Sequence, residues 1–158
     1  MKNKICLLFV SVLTVILLSA CGEDPELAQF QVDIENFCTR VSEIDTSINS
    51  IDPQSDNAVS ELLSDLDALD GVFQSFANLD FPEEYDYLED LAQESSNYMT
   101  EAVSSYHDAY SDNSYDEAMA EYAKENYSRA YKRVQIIITF LHGEEPNDTD
   151  LIIQYDEE

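Results

Sequence analysis

The chain has 158 residues and carries 34 acidic against seven basic side chains, a formal net charge of −27 at pH 7. A surface this negative repels nucleic acid and anionic lipid headgroups, and it favours cationic partners such as basic peptides or a basic protein surface. The alternative is that the charge only solvates the surface and keeps the protein soluble. The length supports one domain with a substantial core, but not two.

The first 21 residues carry the clearest targeting signal. Lysines at positions 2 and 4 precede an apolar run of 14 residues, which ends in leucine and two small residues directly before Cys21. A membrane-spanning helix needs about 20 apolar residues, so the run is typical of a signal peptide rather than of a span. Residues 1–21 resemble the signal peptide of bacterial lipoproteins, and the resemblance goes no further along the chain. The alternative is an ordinary secretory signal that is cleaved after residue 20.

The resemblance implies a lipid anchor. Residues 1–20 would be removed, the sulfur of Cys21 would carry a diacylglyceryl group, and the protein would stay on the extracytoplasmic face of the cell membrane. Residues 21–24 would form a short tether with a reach of at most ~10 Å. Without residues 1–20 the chain keeps 34 acidic and five basic side chains, a net charge of −29. Cys38 is then the only thiol besides the lipidated one, so the core must stabilise the fold without an internal disulfide.

Apolar residues at alternating spacings of three and four predict four amphipathic helices after the tether. Pro25 and Pro53 lie where the first turns of the first two helices are expected, and Ser114 with Glu117 forms a capping box for the fourth. Gly143 is the expected C-cap of the fourth helix. The predicted helices cover approximately residues 25–51, 53–79, 82–110 and 114–142.

Short connections between helices of this length favour an all-α fold, an antiparallel up-down-up-down four-helix bundle over residues 25–143. A short acidic tail over residues 144–158 follows it. Residues 134–141 leave an alternative open, because their β-branched side chains also suit a strand that pairs with residues 151–155. We prefer the helix because the pattern that begins at Tyr115 continues through it. The apolar residues 151–153 then cover the additional isoleucines.

Motifs for metal binding and catalysis are absent from the sequence. Ser104 and Thr139 stand three residues before the two histidines, His107 and His142, so the Glu-x-x-His pairs of di-iron bundles are missing. No haem-attachment motif, P-loop or glycine-rich phosphate loop occurs. We therefore predict that the protein is not an enzyme and uses no metal or cofactor.

Tyrosine is concentrated on the last two predicted helices, where seven of the ten tyrosines alternate with alanines. Alanine lets helix backbones approach, while tyrosine at the flanks keeps its hydroxyl hydrated. One interpretation is a tyrosine-lined groove for a peptide or small ligand, and the other is an ordinary semi-polar seam between helices. The groove candidates are Tyr98, Tyr106, Tyr110, Tyr122 and Tyr127.

Basic residues form a second cluster, because four of the five that follow residue 20 fall within ten positions of the fourth predicted helix. They could dock an acidic partner or a second copy of the chain. Alternatively they neutralise acids on neighbouring helices, and Glu125 is spaced to pair with the second of them. The four residues are Lys124, Arg129, Lys132 and Arg133.

Three hypotheses for function follow. The leading one is a membrane-anchored, extracytoplasmic, non-catalytic binding or accessory module for cationic peptides or a basic protein surface. The alternative is a structural or assembly subunit of a cell-envelope complex, with the first helix offered to a partner. An enzyme is the hypothesis with the least support, because it would need a pocket whose carboxylates have perturbed pKa values.

Overall fold

The computed structural model describes residues 25–111 and 115–146. The predicted signal peptide, Cys21, the predicted tether, Ser114 and residues 147–158 of the predicted tail lie outside the described residues. Four α-helices make up the described part: α1 (Pro25–Ser50), α2 (Ala58–Ala77), α3 (Glu89–Ala109) and α4 (Glu117–Leu141). One 3-10 turn, Asp86–Leu88, precedes α3. The all-helical prediction is confirmed for these residues.

Residues 134–141, for which a strand was the alternative, belong to α4. Among the residues that the structure describes there is no strand, so the strand alternative is wrong for this segment. Its proposed pairing partner, residues 151–155, lies outside the described part. Val134, Ile136 and Ile137 are all buried. The segment forms a helix because burial of one face stabilises a helix even when its residues are β-branched.

The second helix starts five residues later than predicted, at Ala58 rather than at position 53. The side chain of Asp52 accepts a hydrogen bond from the backbone N–H of Gln54 at 3.0 Å, and its carbonyl accepts one from Ser55 at 2.9 Å. These bonds hold the chain in a turn, which is the alternative that aspartate offers to a helical backbone. The proline therefore lies in a turn rather than in the first turn of α2.

The third helix also starts later than position 82. Pro82 accepts a hydrogen bond from the backbone N–H of Tyr85 at 2.7 Å, and Tyr85 accepts one from Leu88 at 2.9 Å. These tight turns lead into α3, which begins at Glu89.

The ends of α4 are capped in two ways. At the N-terminus the cap is Asp116 rather than the predicted Ser114, because its carboxylate accepts a hydrogen bond from the backbone N–H of Met119 at 3.1 Å. At the C-terminus Gly143 has φ 72° and Glu144 N–H donates to the carbonyl of Thr139 at 3.1 Å. This is a Schellman motif, and it confirms the predicted glycine cap.

Five phenylalanines form the centre of the core where α1, α2 and the loop before α3 meet. Phe37 stacks on Phe76 with ring centroids 4.2 Å apart, and Phe30 lies 4.8 Å from Phe81. Phe73 meets Phe37 edge-on at 5.4 Å. All five rings are buried. Aromatic pairs of this geometry contribute beyond the area they bury, which fixes how α1 lies against α2.

Small residues line the contact between α3 and α4, which is the most extensive of the helix pairs. Ala102 and Ala109 of α3 and Ala123 and Ala130 of α4 have no exposed surface. The close approach predicted from these alanines is therefore confirmed. Helix α1 packs mainly on α2, and side-chain hydrogen bonds connect it to α4.

Candidate functional site

The most unusual polar group joins α1 to α4. Tyr131 donates a hydrogen bond to Oδ1 of Asp45 at 3.0 Å, and the Tyr127 hydroxyl lies 3.2 Å from the same oxygen. The two hydroxyls are 3.1 Å apart and the two rings stack with centroids at 4.7 Å. Each hydroxyl has one proton, so Tyr127 can donate either to the carboxylate or to the other tyrosine.

Burial shifts the titration of all three groups. It raises the pKa of Asp45 above its ordinary value, although the hydrogen bonds from Tyr131 and Tyr127 act in the opposite direction. Burial also raises the pKa of both tyrosines, and the nearby carboxyl adds to the shift. Both tyrosines therefore stay protonated at neutral pH and act as donors. We assign the cluster a structural role, since it joins two helices that are far apart in sequence.

Among the remaining groove candidates, Tyr106 lies near Tyr110 and near Tyr127, since each pair interacts electrostatically, while Tyr98 and Tyr122 make other contacts. Tyr98 lies under two arginines of α4, and Tyr110 packs on Tyr115 with centroids 5.4 Å apart. Tyr122 is 44% exposed and donates to Glu101 at 3.3 Å. Tyr106 is half-buried against the core, where burial raises its pKa. None of these residues lines either of the two cavities described below.

Sequence reasoning missed Tyr131 and Asp45 as members of the tyrosine cluster. Tyr127 and Tyr131 are four residues apart on one helix, and that spacing alone puts two side chains on the same face. The acid partner has no comparable signal, because carboxylates occur throughout this chain.

The predicted basic patch is used largely within the molecule. Arg133 donates to Glu94 of α3 at 2.9 Å, and its guanidinium lies 5.2 Å from the centre of the Tyr98 ring. Arg129 lies 5.7 Å from the same ring and pairs with Glu125 at 3.8 Å, as its spacing predicted. The side chains of the two arginines are only 18% and 23% exposed. Lys124 differs, because it is 70% exposed and faces Glu121.

In contrast to the arginines, many acidic side chains lie in a part of the chain that contains no basic residue. No lysine or arginine occurs between Arg40 and Lys124, a stretch that contains all of α2 and α3. Five exposed acids fall within eight positions in and before the first turn of α3. None of them takes part in the four ion pairs among the described residues, which use Asp67, Glu94, Glu121 and Glu125. The five acids, called the 83–90 acidic run below, are Glu83, Glu84, Asp86, Glu89 and Asp90.

Two cavities accompany these features. The first is apolar, has a volume of about 110 Å³, and lies between the first half of α1 and the end of α4. The second is polar, has a volume of about 310 Å³, and lies where α1 ends and α2 begins. Its lining is four serines with Ile51, Glu61 and Asp65.

Neither a metal-binding cluster nor a helix suited to crossing a bilayer occurs among the same described residues. No group of three or more histidines, cysteines and acids there could hold a metal ion. Within residues 25–111 and 115–146, none of the helices combines the length and apolarity that a bilayer crossing needs. Comparisons with protein-family models, curated proteins and solved structures find no match to the chain.

Proposed function

We propose that this chain is a lipid-anchored, extracytoplasmic and non-catalytic module that binds a cationic peptide or a basic protein surface. The anchor would be the lipid on Cys21, at the extracytoplasmic face of the cell membrane. The observation that carries the proposal is the 83–90 acidic run, which is exposed and lies in a stretch without lysine or arginine.

The electrostatics of the described residues favour an external cation. The arginines of α4 are already covered by Tyr98 and held by carboxylates of this chain. Screening at physiological salt leaves a range of about 8 Å, so a ligand is attracted mainly by the acids that it directly approaches. A peptide with several lysines or arginines would gain from all of them at once and would associate quickly.

The run lies close to the expected anchor. Phe81 and Tyr85, which flank its beginning, both pack against Phe30, five residues into α1. With only three residues between Cys21 and α1, a bound cationic partner would be met near the membrane surface. This position suits the capture of basic peptides before they reach the bilayer.

We also propose the antiparallel up-down-up-down arrangement with an acidic C-terminal tail. The order of contacts between α2 and α3 supports it: Asp70 accepts from Thr100 at 2.7 Å, and Asp67 lies 2.7 Å from His107. From the first contact to the second, the position on α3 moves forward along the chain while the position on α2 moves backward. This is expected for neighbouring helices that run in opposite directions.

Helices α3 and α4 follow the same rule. Tyr122, early in α4, contacts Glu101, whereas Arg133, eleven positions later, contacts Glu94. Helices α1 and α4 agree as well, because Asp45 meets residues 127 and 131 while the first half of α1 faces residues 138–142.

Binding of defined cationic peptides tests the function. The chain from residue 21 onward, with Cys21→Ser, is titrated by calorimetry with lysine-rich and arginine-rich peptides at about 0.15 M salt. We expect saturable binding that weakens as salt rises. Binding should fall at least tenfold when the 83–90 acidic run is replaced by the matching amides.

A matched control removes the same charge elsewhere. Five other exposed acids are changed to amides, so that the net charge changes equally, and binding should fall less than threefold. If both variants lose affinity equally, the field acts diffusely and the run is not a site. If no peptide binds saturably, the proposed function is wrong. The control positions are Glu43, Asp56, Glu117, Glu144 and Glu145.

An assembly subunit is the second candidate, and the exposure of α1 favours it. Of the apolar positions of α1 at three-four spacing, Phe30, Phe37 and Val41 are buried. The other four are half-buried, and they are Leu27, Ile34, Ile44 and Ile48. A partner helix could cover the remainder. Light scattering separates the two functions, because a strictly monomeric chain that binds no apolar dye would argue against an assembly role.

A further inference from the structure

The cavity between α1 and α4 has a mostly apolar lining, which is an unfavourable surface for water. Leu27, Phe30 and Ile34 of α1 face Ile138 and Leu141 of α4 across it. Apart from Phe30, which is buried, these side chains are half-buried. The cavity is partly open to solvent, and polar residues at its rim complete the lining, namely Gln31, Glu35, Tyr85 and His142. A volume of about 110 Å³ suits one or two branched aliphatic groups.

We propose that residues 151–153 of this same chain, Leu-Ile-Ile, occupy this cavity. They are the only run of three apolar residues after α4, and acids stand on both sides of the run. A segment with this pattern would place aliphatic side chains in an apolar cleft and leave its carboxylates in water.

Chain length permits this docking. Leu141 and His142, the last residue of α4 and its C-cap, line the cavity, and the Gly143 turn then changes the direction of the chain. Pro146, the last described residue, is half-buried. Five further residues lead to position 151, a reach of at most about 17 Å. The cavity spans residues 27–38 of α1, about 16 Å at the helical rise, so residues 151–153 can reach it without a change in α4.

Cys38 gives the proposal a direct test, because it lines the far end of the cavity. In the chain from residue 21 onward with Cys21→Ser, it is the only native thiol. Ile152→Cys then places a second thiol on the docking segment. A disulfide forms only when two Cα atoms come within about 7 Å, so bridging reports docking. The matched control is Glu157→Cys, five residues further along the same tail.

The measurement is the rate of intramolecular bridging under dilute oxidant, followed on non-reducing gels and by peptide mapping. An undocked tail would give the two positions similar rates, since loop-closure entropy changes little over five residues. We expect the chain with cysteine at 152 to bridge at least tenfold faster than the chain with cysteine at 157. Adding Cys38→Ser should abolish the bridge.

Three results would overturn the proposal. Equal rates at 152 and 157 would show that the tail does not dock. Faster bridging at 157 would place another part of the tail against Cys38. Bridges that form only between two chains, at a rate that rises with protein concentration, would identify a second copy as the occupant. Hydrogen exchange adds a measurement without thiols, because Ile152→Asp should raise exchange over residues 27–38 and leave α2 unchanged.

Discussion

The cluster of Asp45, Tyr127 and Tyr131 leads to a prediction about stability, in which the effect of hydrogen bonding can be separated from the effect of charge. Asp45→Ala removes the acceptor of two tyrosine hydroxyls that are themselves largely buried. A buried donor that is left without an acceptor costs about 1–3 kcal/mol, and the remaining bond between Tyr127 and Tyr131 and access to water reduce this cost. We therefore expect Asp45→Ala to lower the free energy of unfolding by about 1–2 kcal/mol relative to Asp45→Asn.

Asp45→Asn is the matched control because the two variants have the same net charge. Its amide oxygen can still accept from a tyrosine, and its NH₂ group can donate to a hydroxyl oxygen. For a domain of this size the difference corresponds to about 4–8 °C in melting temperature. Thermal and urea unfolding followed by circular dichroism measure it. If the alanine variant has the same melting temperature as the asparagine variant, the cluster does not stabilise the contact between α1 and α4.

The pH dependence of the unmutated protein, compared with that of Asp45→Asn, has a defined sign. Because burial raises the pKa of Asp45 in the folded state, the folded protein binds a proton more tightly than the unfolded chain does. Stability relative to Asp45→Asn should therefore increase as pH falls through the raised value. It should level off below the ordinary value near 3.8. Melting curves of both proteins between pH 7 and pH 3 test this. A difference that stays constant, or that shrinks in acid, would contradict the assignment of burial as the dominant cause.

Four further predictions concern two glycines, one thiol and the surface charge. Gly71→Ala should raise the free energy of unfolding by about 0.5–1 kcal/mol, because the glycine lies inside α2 with open space around an added Cβ. Gly143→Ala should lower it by about 1–2 kcal/mol, because the residue has φ 72°; urea titration measures both. Burial raises the pKa of the Cys38 thiol from near 9 to about 11, so iodoacetamide should alkylate it about a hundredfold more slowly at pH 8 than in urea, as measured by mass spectrometry. Added salt or millimolar magnesium should raise the melting temperature by screening self-repulsion, and a melting temperature indifferent to both would show that the charges are too dispersed to matter.

Periodicity identified the helices, and local side-chain chemistry decided where they begin. The three-four spacing of apolar residues predicted α1 closely, because every position of its seam fits and proline starts the helix. The same Asp-Pro signal failed before α2, where Asp52 hydrogen-bonds the following backbone and holds a turn. Sequence alone does not separate these outcomes, since aspartate both caps helices and makes turns.

Hydrogen bonds and ion pairs between residues that are far apart in the chain could not be predicted from the sequence. The stack of Tyr127 on Tyr131 follows from helical spacing, but Asp45 is more than 80 positions away and is one of 34 acids. The pairing of Arg129 with Glu125 was predictable because both lie on α4. The bond from Arg133 to Glu94 was not, because it depends on how α3 and α4 are aligned.

The use of arginine within the fold bears on what the surface can bind. The chain has 34 acidic and only seven basic residues. Two of the basic residues, Arg129 and Arg133, pack over Tyr98 between α3 and α4. There the guanidinium groups gain from the ring and from Glu94 and Glu125 at once, which is worth more than an exposed ion pair. The five carboxylates of residues 83–90 take part in none of the four ion pairs among the described residues, although Glu94 lies only one helical turn beyond Asp90. A cationic partner at the proposed site would therefore pair with acids that the ion pairs of the fold leave unused.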